Sequence, residues 1–314
     1  MMDKLAFIFP GQGSQSVGML AEHIDTPVVQ QTFAEASEVL GFDLLTLVTE
    51  GPAEALNRTE NTQPALLTAS VALWRLWQEE SCNAMPAFMA GHSLGEYSAL
   101  VCAGAMTFAD AVRIVRQRGL FMQDAVPQGV GAMAAVLGLD DDKVLEACAE
   151  AAQGDVVEAV NFNSPGQVVI AGHAAAVERA IELAKTAGAR RAMLLPVSVP
   201  SHCALMKPAA ERLAVELQSV ELKAPAVPVI HNVTADVSTE PEQIRSHLVA
   251  QLHSPVRWVE TINRFVGSGV TGFAECGPGK VLAGLNKRIA RRAPVATLES
   301  VAAFEELLAQ NNDE

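Results

Sequence analysis

At 314 residues, half of them hydrophobic, the chain can bury a large core, enough for one big domain and a small one. A net charge of −14 argues against nucleic acid as a partner, and no apolar run reaches the roughly 18 residues that cross a bilayer. Five scattered cysteines, odd in number and without a CxxC pair, support neither a disulfide framework nor a zinc site.

Met1-Met2-Asp3-Lys4 leads into the apolar Leu5-Ala6-Phe7-Ile8-Phe9, too short for a signal-peptide core and without a cleavage pattern. It reads as a first strand of a soluble, cytoplasmic protein. A glycine-rich loop from Pro10 to Gln15 follows, then a helix around Met19–His23. Pro64 opens a helix through Trp77, since proline suits a first turn. Ala87-Phe88-Met89-Ala90 is a second strand, Tyr97–Ala103 is helix-compatible, and a further helix runs from about Phe108 to Asp124.

Between Pro127 and Pro196 the rhythm changes. Strand Gly131–Leu137, a helix over Asp140–Ala152, strand Val156–Phe162, a turn at Asn163-Ser164-Pro165-Gly166 and strand Gln167–Ala171 come first. Helix Ala174–Ala187 and strand Arg190–Leu195 complete a βαββαβ order, the ferredoxin-like unit. Strands near Val229–His231 and Val270–Ala274 and a closing helix, Val281–Arg291, follow. Alternating βα units imply a mainly parallel sheet. The expected organisation is a large α/β domain over residues 1–127 and 197–314, with a small subdomain at 128–196.

The segment with the most chemistry is Gly91-His92-Ser93-Leu94-Gly95-Glu96, a G-x-S-x-G nucleophile elbow between a strand and a helix. Its glycines permit a tight turn, and the helix N-terminus offers free N–H groups to a developing oxyanion. A serine needs a base, and of the seven histidines His202, in Val199-Pro200-Ser201-His202-Cys203, follows a strand end where catalytic groups of α/β sheets gather. A histidine incidental to a capping loop is the competing reading. His92 should point away from Ser93 and is read as structural; Cys203 reads as a small buried residue, and His247 and His253 have no metal-ligand spacing. Of the aspartates between Ser93 and His202, Asp140–Asp142 read as a helix cap and Asp110, Asp124 and Asp155 as helix-end residues, so a Ser-His dyad held by a backbone carbonyl or an amide is the better reading.

Arg118 shares one helix stripe with Ala111, Val115 and Met122, and no acid lies three or four residues away on that helix. A guanidinium on an apolar stripe needs a partner. Two partners are open: a distant protein carboxylate, or a substrate carboxylate gripped bidentately. Gly11-Gln12-Gly13-Ser14-Gln15 fails as a phosphate loop, because Ser16 stands where the last glycine belongs, but it can supply a second oxyanion donor. Gly277-Pro278-Gly279-Lys280 also lacks phosphate-loop spacing.

Taken together, Phe9–Gln15, Gly91–Glu96, Arg116-Gln117-Arg118-Gly119, Asn161–Gln167, Ser198–His202, Gln251 with Pro255-Val256-Arg257-Trp258, and Glu275–Lys280 resemble the malonyl-CoA:acyl carrier protein transacylases over nearly the whole chain. The resemblance implies an α/β-hydrolase-like domain with an inserted ferredoxin-like subdomain and the active site between them. It implies ping-pong acyl transfer in fatty acid synthesis, from malonyl-CoA to Ser93 and on to the phosphopantetheine thiol of holo acyl carrier protein. His202 would be the base, the N–H groups of Gln12 and Leu94 the oxyanion hole, and Arg118 the holder of the malonyl carboxylate. Gln251 would orient His202 through its main chain, and Asn163 is a further candidate substrate contact. No cofactor, metal, nucleic acid or membrane is called for, and a monomer is expected. Lys280, Lys287, Arg288, Arg190 and Arg191 are candidates to dock an acidic carrier. The alternatives are a serine thioesterase or other hydrolase, a non-catalytic carrier-binding subunit, and a transacylase for another extender unit or for polyketide synthesis.

Overall fold

The computed structural model describes residues 4–197 and 199–312; Met1-Met2-Asp3 of the lead-in and Ser198 of the Ser198–His202 motif lie outside the described residues. Among the described residues nine strands form two sheets: β1 Leu5–Phe9, β2 Phe88–Gly91, β3 Gly131–Leu137, β4 Val157–Ser164, β5 Gln167–His173, β6 Arg191–Leu194, β7 Val229–Ile230, β8 Gly272–Glu275 and β9 Val295–Thr297. The larger sheet has the order β7-β2-β1-β8-β9, and every pairing in it is parallel.

A parallel sheet needs cover on both faces, and the alternation of side chains in β1 supplies it. Leu5, Phe7 and Phe9 enter the core built by the helices Pro27–Leu40, Thr59–Glu80, Phe108–Ala125 and Lys207–Leu217. Ala6 and Ile8 enter a second core with Trp258, Ile262 and Phe265 of the helix Trp258–Gly267 and Leu282 and Leu285 of the helix Val281–Ile289. Met89 and Ala90 of β2, and Ala274 and Phe273 of β8, divide between the two cores in the same way.

The smaller sheet has the order β4-β5-β3-β6 with antiparallel pairing throughout, the strand order of a ferredoxin-like unit. Ala134, Val136, Val157, Ala159, Val168 and Ile170 pack beneath the helices Asp141–Ala152 and Ala174–Thr186. Met133, Val160, Val169 and Ala171 face the other way, toward Cys203 of the larger body. The two bodies are tied by paired backbone bonds, Phe162 N–H to the Val256 carbonyl and Val256 N–H to the Val160 carbonyl.

Three expectations change. Met19–His23 is a chain of tight turns instead of a helix, because Gly18 and Leu20 adopt φ of 84° and 61°, which no right-handed helix accommodates. Pro64 does not open its helix but lies inside Thr59–Glu80. The Glu60 carbonyl that a residue-64 N–H would have bonded instead accepts from Arg116 Nη1 at 2.8 Å, so the proline is tolerated. The helix Val281–Ile289 does not close the chain; β9 and the helix Val301–Asn312 follow it. Among the described residues no helix is long and apolar enough to cross a membrane.

Candidate active site

Strand β2 ends at Gly91 and the helix Gly95–Cys102 begins four residues later. A Cβ on Gly91 would overlap the backbone of Gly95 and Glu96, and one on Gly95 would overlap the Phe9 carbonyl, so both positions require glycine. Ser93 sits at the apex with φ of 52°, strained for a side-chain-bearing residue and typical of a nucleophile elbow. The strain directs its hydroxyl into a cleft of about 290 Å3 between the two bodies.

His202 reaches the same point from the chain that returns after β6. Its Nε2 lies 2.8 Å from Ser93 Oγ and its Nδ1 2.7 Å from the Gln251 carbonyl oxygen. A carbonyl only accepts, so Nδ1 carries the proton and Nε2 presents its lone pair to the serine hydroxyl. Burial, then the Arg118 charge, push the His202 pKa down to about 3, so the ring is neutral and able to accept a proton at neutral pH. Among the described residues no acid touches the histidine.

Arg118 is 1% exposed and forms no ion pair among the described residues. Nη1 donates to Gln63 Oε1 at 2.8 Å, and Nη2 donates to Gln251 Oε1 at 3.0 Å and to Ser93 Oγ at 3.2 Å. Its Nε is buried without a partner, and its guanidinium lies 5.6 Å from the Tyr97 ring centre. Of the two readings open for Arg118, the structure excludes a protein carboxylate in direct contact. The guanidinium is held by neutral amides beside the nucleophile.

Gln12 and Leu94 both line the cleft, and among the described residues the backbone N–H of neither has an acceptor. Both N–H groups are thus unpaired in the cleft that holds Ser93. Asn163, on β4, lies with Oδ1 2.8 Å from His92 Nε2, and both line the cleft. His92, read from sequence as structural, therefore shares the cavity.

Beneath the elbow is a network that the sequence did not reveal. Glu96, fully buried, accepts from His231 Nδ1 at 2.7 Å, from Asn232 N–H at 2.9 Å and from Gln251 Nε2 at 2.8 Å. Asn232 in turn accepts the Ser93 N–H at 2.7 Å and donates to the Gly91 carbonyl at 2.7 Å. The position of Asn232, just past the C-terminal end of parallel strand β7, was the available signal. Glu96 stood within the motif but its partners lie far along the chain.

Of the basic candidates, Arg288 donates to Gln167 Oε1 at 2.8 Å on the cleft edge, and Arg190 packs over Gly138, next to the turn at Gly166. Arg191 pairs with Leu137 at the same end of the small sheet. Lys280 is not with them; it borders a separate depression beside Glu22 and Glu299, about 12 Å along the helix from Arg288 at 1.5 Å per residue.

The chain matches the acyl transferase domain over residues 6–306. It is 59% identical over 310 residues to the malonyl CoA-acyl carrier protein transacylase of Salmonella typhimurium, covering 98% of this chain and 100% of that protein. An acyl carrier protein S-malonyltransferase from Vibrio cholerae superposes with a TM-score of 0.95 at 57% identity, over 97% of this chain and 99% of that one. A malonyl-transacylase solved in complex with a type II polyketide synthase acyl carrier protein gives a TM-score of 0.96 at 55% identity, over 98% and 99% of the two chains. With this cleft, this dyad and these relatives, the chain belongs to the malonyl-CoA:acyl carrier protein transacylase family.

Proposed function

We propose that the chain carries the malonyl group from malonyl-CoA to the phosphopantetheine thiol of acyl carrier protein, for fatty acid synthesis, through a malonyl ester on Ser93. The observation that carries this reading is the buried Arg118, within 3.2 Å of the nucleophile and, among the described residues, without a carboxylate of its own. An acyl group ending in a carboxylate supplies the missing charge; an acetyl group does not.

His202 Nε2 takes the Ser93 proton as Oγ attacks the thioester carbonyl carbon. The resulting oxyanion is met by the N–H groups of Gln12 and Leu94. Collapse breaks the C–S bond, and the coenzyme A sulfur leaves with the proton from His202. The carrier thiol then gives its proton to His202, attacks the ester carbonyl, and Ser93 departs with that proton. The Gln251 carbonyl holds the Nδ1–H tautomer and stabilises the imidazolium in both halves. The sequence balances with His202 as its only proton carrier and draws on no cofactor or metal. Asn163 and its partner His92, which both line the cleft, are taken to contact the acyl or pantetheine portion. We take residues 1–127 and 197–314 as the catalytic body and 128–196 as its cover, and we take the chain to act as a cytoplasmic monomer.

Intact-mass spectrometry after brief exposure to malonyl-CoA tests this. The wild type should gain a malonyl adduct that holo acyl carrier protein discharges, and Ser93→Ala should gain none. Arg118→Ala should lose malonyl loading by about tenfold to a hundredfold, as expected for a lost charged hydrogen bond, while acetyl loading is spared. An adduct that decays in buffer without the carrier would point to a hydrolase instead; equal loss of both acyl groups would remove Arg118 from specificity.

A further inference from the structure

A buried cation with no counter-ion is very costly, yet a carboxylate bonded directly to Arg118 would occupy the N–H groups that the substrate needs. The network beneath the elbow resolves the conflict. Gln251 stands between Glu96 and Arg118: Nε2 donates to Glu96 Oε2 at 2.8 Å and to the Ser93 carbonyl at 3.0 Å, and Oε1 accepts from Arg118 Nη2 at 3.0 Å. Both amide hydrogens are committed, so the amide cannot turn over without losing both bonds and presenting N–H to the guanidinium. The same residue's backbone carbonyl holds His202.

We propose that Glu96 is a positioning residue: through the Gln251 amide it fixes the guanidinium of Arg118, and it balances that charge without occupying its substrate-facing N–H groups. Glu96 touches no reacting atom. Its three bonded donors belong to His231, Asn232 and Gln251, and the last two bond in turn to Ser93. Burial alone would favour the neutral acid, but the neighbouring His231 and the hydrogen bonds from His231, Asn232 and Gln251 outweigh it and hold the group below its ordinary value. Glu96 is therefore a carboxylate in the working protein. A fold-stabilising pair with His231 would explain one of its bonds but not the one to Gln251.

The inference rests on the transacylase reading and is tested by the split between two acyl donors. Malonyl-CoA needs both the dyad and Arg118; p-nitrophenyl acetate, small and uncharged, needs only the dyad. Rates of Ser93 acylation are measured with each, corrected with Ser93→Ala. Glu96→Leu should lower the malonyl rate relative to the acetate rate by about tenfold or more. Gln251→Leu keeps the carbonyl on His202 and should show the same split, which covers the case in which Glu96→Leu does not fold. Adding Glu96→Leu to Gln251→Leu should widen the split no further. A parallel fall of both rates in folded protein, or no fall in either variant, overturns the proposal. Failure of wild-type Ser93 to accept malonyl from malonyl-CoA would instead overturn the parent reading.

Discussion

The proposed base role of His202 requires a neutral ring, and its surroundings secure that. Burial removes water from the imidazolium and Arg118 repels it, which brings the pKa down to about 3. Malonyl loading, measured as kcat/KM for the first half-reaction, should therefore stay level from pH 8 to about pH 5. An acid limb near 6.5, the ordinary histidine value, would sink this account of the dyad. The same shift acts on stability with a defined sign. The unfolded histidine binds a proton below about 6.5 and the folded one does not until about 3, so stability falls as pH drops through that interval. Ser93 and His202 were legible in the sequence because each announces itself locally, one by an elbow and one by a loop beyond a strand. Arg118 was legible as a misfit on an apolar stripe, though its partners were not. Gln63, Glu96 and Asn232 were missed because a buried polar residue is defined by what it meets through space; 135 and 136 residues separate Glu96 from His231 and from the Asn232 amide.

Arg118 is also placed by how closely its helix approaches the next. Gly119 lies where Phe108–Ala125 crosses the start of Thr59–Glu80, and a Cβ there would come within 2.6 Å of the Glu60 Cα and 2.8 Å of the Thr59 carbonyl oxygen. Alanine would gain up to about 1 kcal/mol of helix propensity. The clash is with backbone and cannot be relieved by a rotamer, so the overpacking cost of about 1–3 kcal/mol wins. Gly119→Ala should lower the melting temperature and, by lifting Arg118 away from Gln63 and Ser93, weaken malonyl loading more than acetate labelling. A variant as stable and as selective as the wild type would show that the helices can part without cost. At this scale the small sheet was the easiest part to read, since its strands and helices follow one another in local alternation. Leu20 shows the opposite case: a left-handed residue other than glycine carries no mark in the sequence, so the turns of that segment passed for a helix.

The two bodies meet so that the inner face of the small sheet roofs the elbow, and any carrier must bring its phosphopantetheine arm in over their shared edge. The chain as a whole is acidic, at −14, and so are acyl carrier proteins, so uniform long-range attraction cannot bring them together. Screening changes which charges count: beyond about 8 Å at physiological salt, distant groups lose influence and the nearest ones decide. Arg288 is exposed and bonds Gln167 of the cleft lining, exposed Arg190 packs over Gly138 beside the Gly166 turn, and Arg191 follows it on the edge strand β6. These, with Lys287 one residue away, form the local cationic rim, whereas Lys280 lies near Glu22 and Glu299. Arg288→Glu combined with Arg190→Glu should therefore raise the KM for holo carrier by about tenfold, the lower end of electrostatic steering. Malonyl loading from malonyl-CoA should be unchanged, because the dyad and Arg118 are untouched. Added salt should weaken wild-type carrier turnover more than that of the double variant, and Lys280→Glu should do little. If the carrier KM does not move in the double variant, or moves equally in Lys280→Glu, the carrier enters over some other edge of the cleft.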